Sequence, residues 1–484
     1  MSYKTVIGLE IHIELNTKSK MFCSCLNDSG ERRANFNICP VCTAQPGTLP
    51  VINQEAINKV IKTGLALDCK IPEYSKFDRK NYFYPDLPKG YQISQYDKPL
   101  CLDGFLETGG KKVRIRRVHL EEDTGRLIHP AGENYSLVDF NRAGVPLMEL
   151  VTEPDIDSAK EAKSFAEELH RIFQYLDISD ADMEKGEMRV EVNLSLGKKK
   201  GELGTKVEIK NLNSFRSVER SIDYEIKRQT EAIEKGEKIV QETRGWDDAK
   251  GITVSQREKE EAHDYRYFPE PDLPLLHFKK EDIDKIRAEI PELPQQKRER
   301  FKKEFGLDGE FTEIFVREKD LGEYFEKVIS EFEPGLAKKK ILDLIKLSSN
   351  YLITDLQGLL EGGSVSGSKF LITPENFAEF IKLVYDGNIS SKIAKMVLEE
   401  MFKTGGDPSD IIRDKGLTQI SDESEIEKVI KEVLFKNPKV VEDYKRGKET
   451  VAQYLVGQIM TQTKGKADPQ IANKLLKRIL TKSK

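Results

Sequence analysis

The sequence has little cysteine, histidine and tryptophan, and it has no long apolar run. Six Cys, six His and one Trp occur in 484 residues. Cysteine this sparse excludes a scaffold held together by disulfides. No apolar run reaches the roughly 18 residues of a membrane-spanning helix, and Lys4, Glu10 and Glu14 interrupt the N-terminal stretch where a secretory signal would be apolar. These absences predict a soluble, cytosolic protein with no membrane contact.

The common nucleotide-binding loops are missing as well. Neither the phosphate loop G-x-x-x-x-G-K-[ST] nor the dinucleotide fingerprint G-x-G-x-x-G occurs. The stretch 362–369, GGSVSGSK, resembles both a phosphate loop with Ser and Lys exchanged and a serine-amidase turn. It satisfies neither pattern and lies between predicted helices, so we interpret it as a flexible loop.

Charge is unevenly distributed along the chain. Charged residues make up 33% of the sequence, and the formal net charge is −5. Residues 409–484 hold 16 Lys and Arg against 11 Asp and Glu, a net +5, so the first 408 residues carry −10. A basic tail on an acidic body indicates that one end of the molecule meets a polyanion.

The spacing of apolar residues predicts an α+β fold. Period-2 alternation and Gly/Pro turns dominate residues 1–293, with helices predicted at 53–67, at 157–176 and from Ser214 onward. A proline-rich stretch at 269–274 ends this unit, and the spacing then becomes helical throughout. We predict a mainly antiparallel-sheet catalytic domain at 1–293, a helical domain at 294–406 and an all-helical tail at 407–484.

Four segments of the first domain present unusual polar faces. In residues 6–15, apolar side chains alternate strictly with Glu10, His12 and Glu14. One face of that strand is therefore apolar, and the other carries carboxylate, imidazole and carboxylate about 6–7 Å apart. Residues 188–196 and 206–210 alternate in the same way, and residues 119–125 add an acidic cluster before a glycine turn. The polar residues of these strands are Arg189, Glu191, Asn193, Ser195, Lys206, Glu208 and Lys210.

Two interpretations of these faces are open. Charges of both signs on the outer faces of antiparallel strands can simply keep the sheet soluble. The same side chains also supply the oxygen ligands and the imidazole that a hard cation such as Mg²⁺ accepts, and Mg²⁺ held by a few carboxylates commonly shares its shell with substrate phosphates.

Four of the six cysteines lie within twenty residues of one another. Cys23 and Cys25 form one pair, and Cys39 and Cys42 form the second. Two thiolate pairs on turns match a four-sulfur Zn²⁺ ribbon, which favours structural zinc over unmetallated thiols or a catalytic thiol. The first pair has a one-residue gap where two residues are usual. The remaining two, Cys69 and Cys101, are predicted to be buried.

Two stretches combine aromatic and basic residues. Residues 78–96 interleave Arg79, Lys80 and Lys89 with tyrosine and phenylalanine, and residues 263–269, HDYRYFP, repeat the pattern. Such stretches suit the bases and phosphates of a single-stranded nucleic-acid end. Packing of a tyrosine-rich loop on the sheet explains the same composition.

Several longer motifs, among them KFDRKNYFYPD at 76–86 and TKVEIKNLNSF at 205–215, occur together in this chain. The other segments of this set are residues 6–24, 39–50, 119–123, 136–142 and 263–273, with 447–469 in the tail. Together they resemble the B subunit of the aspartyl/glutamyl-tRNA amidotransferases, and the tail resembles that family's tRNA-contacting domain. The similarity extends over essentially the whole chain.

The resemblance implies an ATP-dependent ligase that works in a heterotrimer. In this family, the A subunit hydrolyses glutamine, the small C subunit holds the other two together, and the B subunit uses ATP and Mg²⁺ to activate the carboxylate of Glu or Asp mischarged on tRNA(Gln) or tRNA(Asn). Ammonia then displaces phosphate to give the amide. The cognate non-discriminating synthetase is a further expected partner. A carboxylate is a poor acyl donor, so phosphorylation supplies its leaving group.

The resemblance also assigns residues. Glu10, His12, Glu122 and Glu191 match the family's catalytic Mg²⁺ shell, with Asn193 beside them. The expected cofactor-binding set contains Arg79, whose fork of donors suits phosphates, together with Asn193, Lys206, Glu208 and Lys210. The four cysteines, present in part of the family, support Zn²⁺. The chain departs from the family at Glu191, where Asp is favoured, and at 43–46, TAQP, where Leu-Gly-Leu-Pro is usual.

A non-catalytic tRNA-binding scaffold is the competing hypothesis. It would explain the basic tail, the cysteines and the aromatic stretches without chemistry in the strands. A scaffold for RNA has no reason to line a sheet face with Glu10, Glu122 and Glu191, which repel phosphate unless a metal intervenes. A self-sufficient glutaminase is excluded because no Ser-Lys or Cys-His nucleophile arrangement is present.

Overall fold

The computed structural model describes residues 3–28, 30–197, 202–258, 265–307, 309–417, 422–446, 448, 450–463 and 465–482. His263 and Asp264 of the second aromatic stretch, and Gly447, Glu449 and Lys464 of the tail segment, lie outside the described residues. The chain divides into two units, Met1–Pro294 and Gln295–Lys484.

Strands occur in the first unit and helices in both. The strands are β1 Lys4–Glu14, β2 Tyr74–Ser75, β3 Asp78–Asn81, β4 Tyr91–Ser94, β5 Cys101–Thr108, β6 Lys111–Glu122, β7 Arg126–Ile128, β8 Leu137–Asp139, β9 Pro146–Thr152, β10 Met188–Gly197, β11 Val207–Leu212, β12 Glu242–Asp247, β13 Ile252–Glu258, β14 Phe268–Pro269 and β15 Leu276–His277. The helices are α1 Gln54–Ala66, α2 Ala159–Tyr175, α3 Phe215–Glu234, α4 Lys280–Ala288, α5 Pro294–Arg300, α6 Gly309–Arg317, α7 Lys319–Ser330, α8 Lys338–Asn350, α9 Gln357–Leu360, α10 Pro374–Tyr385, α11 Ser391–Thr404, α12 Pro408–Asp414, α13 Glu423–Lys436, α14 Pro438–Lys445, α15 Val451–Gln462 and α16 Pro469–Lys482, with π-helical turns at Phe301–Phe305 and Tyr351–Leu356.

Eight strands form one sheet in the order β13-β12-β11-β10-β1-β9-β6-β5. Neighbouring strands run antiparallel except β11 and β12, which are parallel. Three small sheets accompany it, and one of them, β14-β3-β4, carries the first aromatic stretch. Because β1 is central, its side chains have neighbours on both β9 and β10.

The predicted alternation of β1 is confirmed. Ile11 and Ile13 are fully buried in the core, whereas Glu10 and His12 lie half-buried on the opposite face. The apolar face packs against the first three helices, whose Val60, Phe165 and Val218 belong to the same core. Burying a side chain of this size contributes about 1.5–3 kcal/mol. The helices therefore cover one face of the sheet and leave the polar face open.

The three helices predicted in this unit are confirmed, and side-chain caps mark their starts. Asn53 accepts hydrogen bonds from the N–H groups of Glu55 and Ala56, and Ser158 and Ser214 cap α2 and α3 in the same way. These bonds satisfy N–H groups that the first helical turn leaves without partners. Cys69 and Cys101 are buried, as predicted.

The regular elements of the second unit are helices over its described residues. Its side chains form two separate hydrophobic cores, one between Phe301 and Leu417 and one between Ile426 and Leu480. The mixed class predicted from the sequence, with a large N-terminal sheet and a helical C-terminal region, is confirmed. The division of the helical region near residue 406 stays a prediction. Among the described helices, none combines the length and apolarity needed to cross a membrane.

Candidate active site

A cavity of about 740 Å³ lies on the polar face of the large sheet. Side chains from β1, β6, β9, β10 and β11 form its floor, and Lys80 on β3 contributes to a second wall together with Tyr265 and Tyr267. Of the residues predicted from the sequence, the cavity is lined by Glu10, His12, Glu191, Lys206, Glu208 and Lys210. Lys206 lies just before β11 and is exposed.

Two imidazoles flank one buried carboxylate in this cavity. Glu149 lies on β9, and the strand register places it opposite His12 on one side and His119 on the other. Its Oε2 is 3.5 Å from His12 Nε2 and 3.4 Å from His119 Nε2. Glu121 Oε1 is 3.3 Å from His119 Nε2. His12, Glu121 and Glu149 each offer one ligand atom within 4.8 Å of the others, and we call them the histidine group.

Ion pairing within this group and with His119 controls the charge of the group. Burial alone would raise the pKa of Glu149, but His119 and His12 lower that pKa well below its usual value. Burial would lower the pKa of His119, yet Glu149 and Glu121 raise it to about 9. His119 is therefore protonated at neutral pH, and its charge offsets that of the carboxylates.

Three more carboxylates meet on the other side of β1. Glu10 lies directly opposite Glu191 in the sheet, and Glu10, Glu191 and Glu208 each offer an oxygen within 4.8 Å of the others. We call them the carboxylate group. Burial raises the pKa of Glu10, and the charges of Glu149, Glu191 and Glu208 raise it further. Like charges placed opposite each other in a sheet are destabilising, so this arrangement calls for a cation.

Lys210 supplies part of that positive charge. Its Nζ lies 2.8 Å from Glu191 Oε2 and 3.9 Å from Glu208 Oε1. Asn193 donates from Nδ2 to Glu10 Oε1 at 2.8 Å, while its buried Oδ1 has no hydrogen-bond partner in the described part of the chain. An unpaired buried acceptor beside three carboxylates fits a hard divalent cation such as Mg²⁺, and so does the histidine group, with two carboxylates and an imidazole.

Glu122, which the sequence analysis expected in the ligand set, lies in neither group. Its carboxylate accepts a hydrogen bond from the N–H of Ile93 at 2.9 Å and forms an ion pair with Lys89. Side chains alternate along β6, so His119 and Glu121 share the face that meets Glu149, whereas Glu122 points the other way. Glu121 takes the position expected for Glu122.

Arg79 is also placed elsewhere than expected. Its guanidinium donates from Nε and from Nη2 to Glu270, each at 2.7 Å, and from Nη2 to Asp272 at 3.3 Å. The Glu270 side chain is fully buried. Arg79 thus faces these acceptors and does not line the cavity, whereas the next residue along β3, Lys80, does.

Sequence reasoning missed Glu149 as a site residue, and it offered Lys80 and the tyrosines of the second wall only as contacts for a nucleic-acid end. A signal for Glu149 existed, since it is the single charged residue of an otherwise apolar strand, and a carboxylate buried there is costly unless it is paired. The tyrosines pack on one another: Tyr96 stacks on Tyr267 at 4.3 Å between ring centroids, and Tyr265 meets Tyr267 edge to face at 6.1 Å.

The four clustered cysteines come together. The sulfur atoms of Cys23, Cys25, Cys39 and Cys42 all lie within 4.8 Å of one another. A hydrogen bond with Cys23, assisted by Lys20, lowers the pKa of Cys42 to about 5. Lys20 is fully buried, and its Nζ lies 3.8 Å from Cys42 Sγ. A set of four sulfurs with one thiolate already stabilised fits Zn²⁺.

A second, larger cavity of about 1070 Å³ runs along β10. Arg189, Glu191 and Lys210 line both cavities, so the two share a wall. Arg189 donates from Nη2 to Asp123 at 2.7 Å. Arg142, whose Nε lies 3.6 Å from the same carboxylate, donates to the carbonyl oxygens of Thr124 and Gly125. The larger cavity is lined by charges of both signs, and its Arg142 and Arg189 are held in place by these bonds.

Comparison with known proteins gives the same family over both units. The family described as GatB/GatE catalytic domain matches residues 5–284, and the family described as GatB domain matches residues 323–480. The B subunit of the aspartyl/glutamyl-tRNA(Asn/Gln) amidotransferase of Thermotoga maritima is 50% identical over 489 aligned positions, covering 99% of each chain. The protein of the same name from Caldicellulosiruptor saccharolyticus is 50% identical over the full length of both chains, and that from Persephonella marina is 49% identical over 99% of this chain and 100% of its own.

Proposed function

Because this chain belongs to the family of aspartyl/glutamyl-tRNA(Asn/Gln) amidotransferase B subunits, we propose that it carries out the ATP-dependent step of amidation on tRNA. The substrate is the side-chain carboxylate of Glu on tRNA(Gln) or of Asp on tRNA(Asn). ATP phosphorylates this carboxylate with release of ADP, and ammonia then displaces phosphate to leave Gln or Asn on the tRNA. The supporting observation is the meeting of two acidic groups in one cavity.

Mg²⁺ is the proposed metal at these groups. His12, Glu121 and Glu149 would hold it on one side of β1, and Glu10, Glu191 and Glu208, with Asn193, on the other. Bound Mg²⁺ neutralises charge on the phosphoryl group during transfer. Lys210 keeps Glu191 and Glu208 in place, and Asn193 orients Glu10 through its 2.8 Å hydrogen bond.

The two cavities suit two substrates. We assign the nucleotide to the 740 Å³ cavity, which contains both acidic groups, and the aminoacyl end of the tRNA to the 1070 Å³ cavity along β10. Their shared wall of Arg189, Glu191 and Lys210 is where the carboxylate to be activated would meet the phosphate. Side chains held by ion pairs position such groups without a reorganisation cost.

The proposal includes partners. The A subunit, a glutaminase, supplies ammonia, the small C subunit joins the assembly, and the cognate non-discriminating synthetase is a further candidate for delivering the mischarged tRNA. The basic tail domain, residues 407–484, contacts the tRNA body. The tRNA substrates imply a cytoplasmic location. Zn²⁺ at the four cysteines has a structural role.

The proposed function is tested with Glu149→Gln in the assembly with its partner subunits. We expect ATP-dependent amide formation on charged tRNA to fall by roughly 100-fold or more, because a buried carboxylate of the histidine group is lost. Affinity for charged tRNA should stay unchanged, since the tail is untouched. An equal loss of both properties would favour the non-catalytic scaffold.

A further inference from the structure

Lys80 faces the cavity, whereas its neighbour on β3, Arg79, does not. Arg79 points to Glu270 and Asp272, whereas Lys80 lines the 740 Å³ cavity opposite the histidine group. Successive residues of a strand face opposite sides, so the two cations are separated by the backbone. Lys80 is thus the cation of this segment that a molecule in the cavity would meet.

The ammonium of Lys80 has aromatic neighbours and no acceptor. Its Nζ lies 5.1 Å from the centre of the Tyr265 ring and 5.9 Å from that of Tyr82. No carboxylate of the described residues comes within 4.0 Å of it, and it makes no hydrogen bond to them. The hydroxyl groups of Tyr82, Tyr265 and Tyr267, which line the same cavity, also have no hydrogen-bond partner in the described residues.

The nearby carboxylates are already engaged. Glu121 accepts hydrogen bonds from Ser94 and Gln92 and meets His119, while Glu149 lies between two imidazoles. Burial would lower the pKa of Lys80, but Glu121, Tyr267 and Glu149 outweigh burial and raise it. Lys80 is therefore cationic at neutral pH, and it faces the cavity with its donors unused. Unused donors in a half-buried wall are expected where a ligand completes them.

We propose that Lys80, with the hydroxyl groups of Tyr82, Tyr265 and Tyr267, forms a binding site for the oxyanion that reacts in this cavity. A compact ammonium, which can only donate, beside several hydroxyl groups that can also donate matches a phosphoryl or carboxylate oxygen. The inference rests on the proposed function, which supplies two such groups: the terminal phosphate of ATP and the side-chain carboxylate of the aminoacyl group.

The experiment compares Lys80→Met and Lys80→Arg with wild type in the full assembly. Lys98→Met is the matched control, because Lys98 is exposed a few residues beyond the β4 strand that pairs with β3 and does not line the cavity. We expect Lys80→Met to lower kcat/KM for amidation by about 10- to 100-fold, the value of a hydrogen bond to a charged group. Lys80→Arg should recover part of that loss, and Lys98→Met should match wild type.

Binding measurements identify the oxyanion. If the terminal phosphate is bound, Lys80→Met weakens binding of a non-hydrolysable ATP analogue by about 10-fold or more and leaves ADP binding unchanged. If the carboxylate is bound, nucleotide binding is unchanged and KM for charged tRNA rises. Equal weakening of ATP analogue and ADP, or no change in any of these quantities, would overturn the inference.

Folding and the underlying function are checked separately. Unchanged thermal unfolding of Lys80→Met would show that its kinetic loss arises at the site and not from misfolding. Smaller losses of the same kind in Tyr265→Phe and Tyr82→Phe would show the same. Wild-type protein that neither binds nor consumes ATP would reject the proposed function itself. A difference between Lys80→Met and an active wild type tests only the role of Lys80.

Discussion

At the residue scale, position within a strand decides which side chains take part in the site. Glu149 is a candidate ligand because two imidazoles meet it from neighbouring strands, and Glu122 is not one because it faces away from them. Both are buried glutamates in strands of the same sheet. Their different neighbours, rather than their chemistry, make Glu149 a candidate metal ligand and Glu122 the partner of Lys89.

Mg²⁺ binding should distinguish these two glutamates. We expect Glu149→Gln to weaken Mg²⁺ binding to the purified chain by about 10-fold or more, because a neutral amide replaces a charged ligand. Glu122→Gln should bind Mg²⁺ as wild type does, since its carboxylate pairs with Lys89. Isothermal titration calorimetry measures both; the reverse order of effects would restore Glu122 to the ligand set.

Ala44 offers a stability prediction. It has φ +57°, a left-handed conformation that glycine adopts without strain. Ala44→Gly should therefore raise the free energy of unfolding by about 1 kcal/mol. Ala232→Gly, within α3, should lower it by about 1 kcal/mol. Urea denaturation followed by fluorescence of the single tryptophan, Trp246, reports both, and a loss of stability in Ala44→Gly would contradict the argument.

At the element scale, two short segments of the first unit are held in place by polar contacts. An ion pair holds one of them, and a group of sulfur atoms holds the other. The sheet β14-β3-β4 is small, and the Arg79 pair with Glu270 ties β3 to the segment that follows β14. The segment of the four cysteines has little regular structure between residues 15 and 53. Both segments border the cavities, so their rigidity bears on the site.

Breaking the Arg79 pair should destabilise the fold. Arg79→Met leaves the buried Glu270 carboxylate without its main partner, which costs about 3–5 kcal/mol for a buried pair. The double variant Arg79→Met/Glu270→Met should recover much of this loss. Urea denaturation of the single and the double variant checks this prediction. A loss of affinity for ATP in Arg79→Met without a loss of stability would contradict it and show that Arg79 binds phosphate.

Zinc content tests the cysteine group. Metal analysis of purified protein should find about one Zn²⁺ per chain, because four sulfurs complete a tetrahedral shell. Cys42→Ala should lose the ion. Cys69→Ala, which removes a buried thiol outside the group, should keep it. Zinc-free wild-type protein would leave the sulfurs as unmetallated thiols, the alternative that the cysteine spacing left open.

At the scale of the whole molecule, the tail differs in net charge from the rest of the chain. Ile411, Ile412 and Leu417 pack in the core of the preceding helices, so a deletion intended to remove only the last core begins at residue 422. Residues 422–484 still hold 14 Lys and Arg against 9 Asp and Glu, a net +5. This tail is the part of the chain most suited to a phosphate backbone.

Deleting residues 422–484 should weaken tRNA binding and flatten its dependence on salt. Each phosphate that the protein no longer neutralises removes nearly one unit from the slope of log affinity against log salt. Binding measured at several salt concentrations, with ATP binding by the remaining chain as the control, checks this prediction. An unaltered slope would show that the tail does not neutralise phosphates of the tRNA.

The sequence by itself determined the local features of this protein. Strand alternation predicted which residues share a face with Glu10 and His12, capping residues predicted the starts of three helices, and cysteine spacing predicted four sulfurs in one place. These features depend on the backbone geometry of a few consecutive residues, which the local sequence dictates.

The tertiary structure alone decided which polar faces became neighbours. The order β10-β1-β9-β6 brings Glu149 between His12 and His119 and Glu10 opposite Glu191. It also paired Arg79 with Glu270, nearly two hundred residues away, and left Lys80 facing the cavity. Pairing between distant strands depends on the packing of the whole core, so no local pattern in the sequence contains it.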